Sequence, residues 1–389
     1  ALGLAGCGKS PQPADSSASL QAVQSTPHVQ PQATGEYRAM WVSYLEWGSL
    51  GFSGEDAFTA QVQTLMQNCL SLGCTTVIAQ VRPFADALYP SALFPWSHVL
   101  SGAQGAAPGF APLAVLVREA HACGLQLEAW LNPYRVALNA ATPGSFAENS
   151  LLYTHPDWVK ANGEGYYLNP ALPQVRDYIC EGVAEIVQNY EVDGIHYDDY
   201  FYPTTDPAFD SQDYADANTA LSLEDWRREN VNALVSETYR TIKSIRPACR
   251  FGISPQGNNS NNYNGQFSDV ALWLQTPGYV DYVMPQVYWG YGYTTKGGST
   301  DYAFENVTRT WAALYFGLGA YRIGDGDGGN YDHNTDQWNT GHELADMVGT
   351  LREAGAQGYA LYRYDFLFKN GAYPALAEAE CAALTEVNR

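Results

Sequence analysis

The chain of 389 residues carries 41 acidic against 20 basic side chains, a formal charge of −21. This argues against a nucleic-acid partner, because a phosphate backbone is gripped by basic patches. With 46% hydrophobic and 13% aromatic content the chain can bury a sizeable core, in one large domain or two, and is not disordered over most of its length. Only 16% of residues are charged while Tyr and Trp number 28 and 10, a balance that suits contact with neutral carbohydrate and equally an aromatic-rich core.

At the N-terminus, Leu4-Ala5-Gly6-Cys7 has the pattern of a bacterial lipobox, which predicts residues 1–7 as a signal-peptide remnant with Cys7 as the lipidated residue. Residues 8–35 are Ser, Gln, Pro, Ala and Thr with almost no large apolar side chain, so burial cannot offset their ordering entropy. They are expected to form a disordered tether ahead of one domain over 36–389. No run of about 18 apolar residues follows, so the expected membrane contact is a lipid anchor only, on an exported protein of the bacterial envelope. Cys69, Cys74, Cys123, Cys180, Cys249 and Cys381 lack metal-type CxxC spacing and are expected to be mostly free and buried.

Strand signals occur at 37–43, 74–81, 125–131, 192–198, 249–254, 280–287, 313–321 and 357–364. Helical periodicity lies between them, for instance at 55–72, 111–123, 174–190, 223–245 and 336–354. Eight β-then-α units predict an α/β fold, a (β/α)8 TIM-type barrel with its site at the C-terminal strand ends. The doubly wound alternative needs a glycine turn after the first strand, and Ser43-Tyr-Leu-Glu-Trp47 is no such turn.

The two-residue strand period then sorts the side chains. In the fourth strand, bulky Ile195 and Tyr197 face the helices, which turns His196 and Asp198 into the lumen with Asp199 just past the strand end. In the third, the apolar row Leu125, Leu127, Ala129 and Leu131 turns Glu128, Trp130 and Asn132 inward. The second strand is expected to present Gln80 and Arg82, the fifth Ser254 and Gln256, and the sixth Met284, Gln286 and Tyr288, with Trp289 following. An ordinary barrel interior is branched aliphatic, whereas this pattern describes a polar cleft with aromatic walls. Two adjacent carboxylates among rings that can stack on pyranose faces are the parts of a sugar-cleaving site.

The segments Arg38-Ala-Met-Trp-Val-Ser43, Gln80-Val-Arg-Pro-Phe-Ala-Asp-Ala-Leu-Tyr-Pro90, Ala129-Trp-Leu-Asn-Pro-Tyr-Arg135, Tyr167-Leu-Asn-Pro170 and Asp193-Gly-Ile-His-Tyr-Asp-Asp-Tyr-Phe-Tyr-Pro203 together resemble the family-10-like bacterial glycosyl hydrolases over about residues 36–370. The resemblance implies a TIM-type barrel lipoprotein acting on bacterial cell-wall glycan, including peptidoglycan strands stripped of their peptides. It implies Asp198 and Asp199 as signature carboxylates and Arg82, Asn132, Tyr134 and Arg135 as cleft residues. Glu128 departs from it, standing where His or another neutral residue is expected.

Glycoside cleavage usually needs two carboxyl groups about 5 to 5.5 Å apart for retention or about 6.5 to 9.5 Å for inversion. Neighbours on one strand point to opposite faces, so the expected partner of Asp198 lies on another element: Glu46 or Glu128 about equally, or Asp365. A substrate N-acetyl group acting as internal nucleophile is the lesser alternative, since Tyr200 stands where chitinase-type barrels carry the acid. Trp130, His196, Tyr202, Gln256, Gln286, Tyr288, Trp289, Tyr364 and Asp365 complete the candidate binding set. No cofactor is expected, and no metal either: the loop 325–332 is rich in oxygen ligands but lacks the twelve-residue calcium pattern. The expected function is therefore hydrolysis of a cell-wall amino-sugar polysaccharide, with a non-catalytic glycan-binding lipoprotein as the alternative.

Overall fold

The structure, a computed structural model, describes residues 35–50, 54–139, 141, 144–291, 312–327 and 335–389. Cys7, the expected tether up to residue 34 and residues 328–332 of the oxygen-rich loop lie outside the described residues. Among the described residues no helix is long and apolar enough to cross a membrane.

Eight barrel strands follow in chain order. They are β1 (Tyr37–Val42), β2 (Thr76–Arg82), β3 (Gln126–Leu131), β4 (Gly194–Tyr197) and β5 (Arg250–Ile253). Then come β6 in two pieces (Tyr282–Val283 and Gln286–Val287), β7 in two pieces (Ala313–Leu314 and Phe316–Gly319), and β8 (Gly358–Tyr362). Every neighbouring pair is parallel, and β8 returns to β1 with Tyr37 opposite Gly358, so the ring closes. The two pieces of β6 and β7 keep a single register, Tyr282 opposite Ala313 and Gln286 opposite Gly317. Pro285, which has no N–H to give to a ladder, sits in the break in β6.

Around the ring lie α1 (Tyr44–Ser49), α2 (Glu55–Ser71), α3 (Pro112–Ala122), α4 (Pro173–Asn189), α5 (Leu223–Ile245), α6 (Val270–Gln275), α7 (Glu343–Glu353) and α8 (Pro374–Val387). In α4 the buried row Val175, Ile179, Val183 and Ile186 recurs at three and four, the stripe that lies against the sheet. The helical pattern expected over 336–354 is broken, because Gly341 takes the left-handed conformation at φ +75° and α7 begins only at Glu343.

Two cores result. Leu127, Ala129, Leu131, Ile195 and Tyr197 pack outward against the helices, as the strand period predicts. Inside the lumen Tyr37, Trp41, Ile78, Trp130, Tyr282, Met284 and Tyr315 form a second cluster. Large rings fit there because glycine stands opposite them: a Cβ on Gly252 would lie 1.9 Å from Tyr282 Cζ, and one on Gly317 2.7 Å from Trp41 Cη2. A three-stranded antiparallel sheet of Arg135–Ala137, Val159–Asn162 and Gly165–Leu168 is inserted after β3, and its pairing of Arg135 with Tyr167 fixes the backbone at Arg135. The six cysteines of the described residues are free thiols, four of them buried.

Candidate active site

A cavity of about 370 Å³ opens at the C-terminal ends of the strands. Asp198, Asp199, Ser254, Gln286 and Arg363 supply its polar lining. Trp41, Trp130, Tyr200, Tyr288, Tyr321 and Tyr362 form its aromatic walls, closed by Phe366. Tyr288 stacks on Tyr362 at 5.2 Å between centroids, and Trp41 meets both rings edge-on.

Asp198 follows the last residue of β4 and is 3% exposed. Its Oδ2 accepts from Trp130 Nε1 at 3.0 Å and Asn132 Nδ2 at 2.6 Å, while Oδ1 takes only the longer bond from Tyr200 N at 3.2 Å. Asn132 is itself held by Gln80 Nε2 at 2.6 Å, and Gln80 by Tyr44 N at 2.9 Å, so β2 and α1 fix the orientation of Asp198. Burial above all, and then the neighbouring charge of Asp199, push the Asp198 carboxyl up to about 7, against the pull of Arg135. Asp199 leans the other way around the ring, accepting from Gln286 Nε2 at 3.0 Å, and burial raises its carboxyl as well.

The expectation that the pair would be split by strand alternation does not hold. β4 ends at Tyr197, so the two-residue alternation no longer governs Asp199, and both carboxylates line one cavity. Of the other expected cleft residues, Trp130, Gln286 and Tyr288 line it directly. Asn132 lies behind Asp198, and Arg135 rests between Phe84 and Tyr200, 4.8 and 4.7 Å from the ring centroids, where its charge reaches both carboxylates. Gln256 bridges β5 to β6 opposite Gln286.

Several expected site residues lie elsewhere. Glu46 is fully buried as the third helical residue of α1, accepting from Ser43 N at 2.9 Å in a capping box and pairing with Arg363. Glu128 sits deeper in the lumen, bonded to Tyr282 and 3.8 Å from Arg250, its ionic partner. Arg82 points outward, because the ladder slips between Gln80 and Arg82 and reverses the side-chain parity. Its guanidinium lies 4.4 Å over Phe94, and a Cβ on Gly182 of α4 would come within 2.4 Å of Nη1.

Tyr134 belongs to the outer core with Tyr197, and Tyr202 packs on Phe267 and under Arg227. Trp289 packs against the outer core, and Tyr364, in the helical turn Tyr364–Phe368, bonds Asn68 at 2.7 Å. Asp365 faces Arg363 at 3.8 Å and Lys369 at 3.5 Å, and does not line the cavity. His196 is fully buried beneath the cavity floor, bonded to Trp41, Ser254 and Tyr282. Ser254, read as lumen-facing on the fifth strand, lines the cavity; conversely, Trp41, Tyr200, Tyr321, Tyr362, Arg363 and Phe366 line it without having been site candidates. The lumen parity of β1 and β8, read as it was for β3 and β4, points to Trp41 and Tyr362.

Known proteins resemble this chain at two levels. Residues 36–335 match the family described as Glycosyl hydrolase-like 10. Glycosyl hydrolase YngK of Bacillus subtilis is 36% identical over 318 residues, covering 75% of this chain and 62% of that protein. The matched region thus spans less than two thirds of the Bacillus relative. Glycosyl hydrolase DigH of Escherichia coli K12 is 33% identical over 370 residues, 84% of this chain and 82% of that protein.

Among solved structures, the PgaB (BpsB) glycoside hydrolase domain from Bordetella bronchiseptica has a TM-score of 0.56 at 13% identity, covering 89% of this chain and 99% of that one. Alpha-L-fucosidase isoenzyme 2 from Paenibacillus thiaminolyticus has a TM-score of 0.56 at 16% identity, covering 90% and 49%. These last two speak to the fold alone. By family match and by relatives over a third or close to a third identical, the chain belongs to the glycosyl hydrolase-like 10 family, a family of the glycoside hydrolase class.

Proposed function

We propose that the protein hydrolyses the glycosidic bonds of a bacterial cell-wall amino-sugar glycan, of which peptide-free peptidoglycan strands are the leading candidate, with Asp198 as proton donor. The observation that carries this reading is the convergence of two carboxyls with raised pKa on one aromatic-walled cavity at the mouth of the barrel. A carboxyl near 7 can be protonated at neutral pH and still transfer its proton. With Oδ2 occupied by two donors, the proton sits on Oδ1.

Among the described residues no third acidic side chain lines the cavity. Asp198 and Asp199 both follow β4, so no described carboxyl approaches the sugar from another strand. This favours a substrate-assisted route, an exception to the rule of two flanking carboxyls, in which a 2-acetamido group on the sugar attacks the anomeric carbon. Asp199 would orient that group by accepting its N–H, while Asp198 protonates the departing oxygen. The lipobox-like Leu4-Ala5-Gly6-Cys7 supports a lipid-anchored enzyme at the cell envelope.

The same feature favours a second reading, a lipoprotein that holds glycan in this cavity without cleaving it. Incubation with peptide-free peptidoglycan strands and mass analysis of the soluble fraction separates the two. Saccharide release by the wild type, lost in folded Asp198→Asn, rules out the binder; retention of glycan by both proteins with no release rules out the enzyme.

A further inference from the structure

Beneath the carboxylate pair a column of buried side chains joins the cavity floor to the base of the barrel. His196 of β4 is fully buried, and burial holds its ring down at about 3, so it is neutral at neutral pH. Its Nε2 takes the indole N–H of Trp41 at 3.3 Å. An indole only donates, so Nε2 carries no hydrogen and the ring proton is on Nδ1. Nδ1 therefore donates to the Tyr282 oxygen at 2.7 Å, and Tyr282 passes its own hydrogen to Glu128 Oε2.

Burial raises the Glu128 carboxyl while Arg250 at 3.8 Å pulls it back down, and Glu128 Oε2 is the oxygen that accepts the Tyr282 hydrogen. Both ends of the column thus impose the same direction. At the top, Ser254 Oγ lies 3.0 Å from the bare Nε2, whose one lone pair it shares with Trp41, so the hydroxyl donates downward in a three-centre bond and turns its lone pairs to the cavity it lines.

We propose that Glu128 is a positioning residue that, through Tyr282 and His196, fixes Ser254 as a hydrogen-bond acceptor for an amide N–H or hydroxyl of the bound sugar. The ligand class rests on the glycan reading above; the direction of the column does not. In Glu128→Gln, Arg250 draws the amide oxygen and leaves the amide hydrogens facing Tyr282. The two ends of the column then oppose each other, because Trp41 still donates to Nε2; in the fraction of molecules in which the column reverses, Trp41 loses its acceptor, Nε2 gains the proton and Ser254 points a hydrogen into the cavity.

The test is nitrogen-15 NMR of the histidine rings, with His196 assigned by its absence from His196→Gln. The wild type is expected to show the Nδ1–H form with no titration between about pH 5 and 8. An Nε2–H form or a charged ring would overturn the proposal. Glu128→Gln is expected to move the ring toward Nε2–H, a change that mere loss of packing does not produce, and an unchanged tautomer in a folded variant counts against it. Should that variant not fold, Ser254→Ala serves: KM on glycan strands rises roughly fivefold at little changed kcat, the worth of one hydrogen bond, and Ser254→Thr restores it. Equal KM in Ser254→Ala refutes the acceptor role. Because the tautomer is read without turnover, a wild type that releases no saccharide would sink the glycosidase reading and leave the column to be decided by its spectrum.

Discussion

Replacing Asp199 by Asn should lower the pKa of Asp198 by a limited amount. The Asp198 carboxyl stands at about 7 against an ordinary value of 3.8, and the first cause is burial, which the substitution leaves intact. What it removes is the second cause, the negative charge on the neighbouring residue. At an effective dielectric near 20 such a charge is worth on the order of 1–3 kcal/mol, or about one to two pH units. The Asp198 titration should therefore fall to roughly 5 to 6 and stop well short of an exposed carboxyl.

Carbon-13 NMR of aspartate-labelled protein reads this directly, with Asp198 assigned by its loss in Asp198→Asn. In the wild type the alkaline limb of kcat/KM should lie at the same pH as the titration, since the acid must be protonated in the free enzyme. An Asp198 titration that does not move in Asp199→Asn, or that falls to the ordinary value, would refute the account of burial first and neighbouring charge second.

Asp198→Asn, nearly isosteric and still able to accept from Trp130 and Asn132, should keep its melting temperature and lose about 10²- to 10⁴-fold in kcat; retained turnover on glycan strands removes Asp198 as the acid. Glu46→Ala strands Arg363 beside the cavity without its fully buried partner, and should cost about 3–5 kcal/mol by urea unfolding while leaving the pH limb of residual activity in place. Gly252→Ala puts a methyl 1.9 Å from Tyr282 Cζ and should destabilise by about 3 kcal/mol, the upper end for overpacking, seen as a lowered denaturant midpoint.

Burial first raises Glu343 and Glu380 to about 7 from 4.5, Glu380 capping α7 through Glu343 N at 2.7 Å and Leu344 N at 3.1 Å. Between those values the folded state binds more protons than the unfolded one. Stability therefore falls as pH rises from about 4.5 to 7 and then levels off. Thermal melts across this window should show that slope, and Glu380→Gln should flatten it.

Reading the strands by period located Trp130, Asp198, Asp199, Gln286 and Tyr288 at one mouth of the barrel, because the first three lie on or just beyond regular strands with an apolar outer row and the two pieces of β6 keep a single register across Pro285. The failures have local causes. Arg82 follows a ladder slip that no composition signals, so its parity inverts. Glu46 was legible in principle: Ser43-x-x-Glu46 is a capping-box pattern, and a carboxylate spent on a helix start is poorly placed for chemistry. Glu128 does face the lumen, but strand parity gives direction and not depth, and two residues lower in β3 than Trp130 is below the cavity floor. Arg363 comes from the turn after β8, where no period applies, and only the fold brings it to the site.

The glycine–ring couples inside the barrel, Gly252 with Tyr282 and Gly317 with Trp41, bind the future of each position to its mate. Neither member has spare volume, so enlarging a glycine alone is forbidden and shrinking a ring alone opens a void. For Trp41, which walls the cavity from β1, a shift to a smaller residue becomes tolerable once Gly317 grows on β7. Drift in the shape of the cavity would then proceed by paired exchanges between strands far apart in the chain, and covariation between 41 and 317 is where lineages with differently shaped cavities would record it.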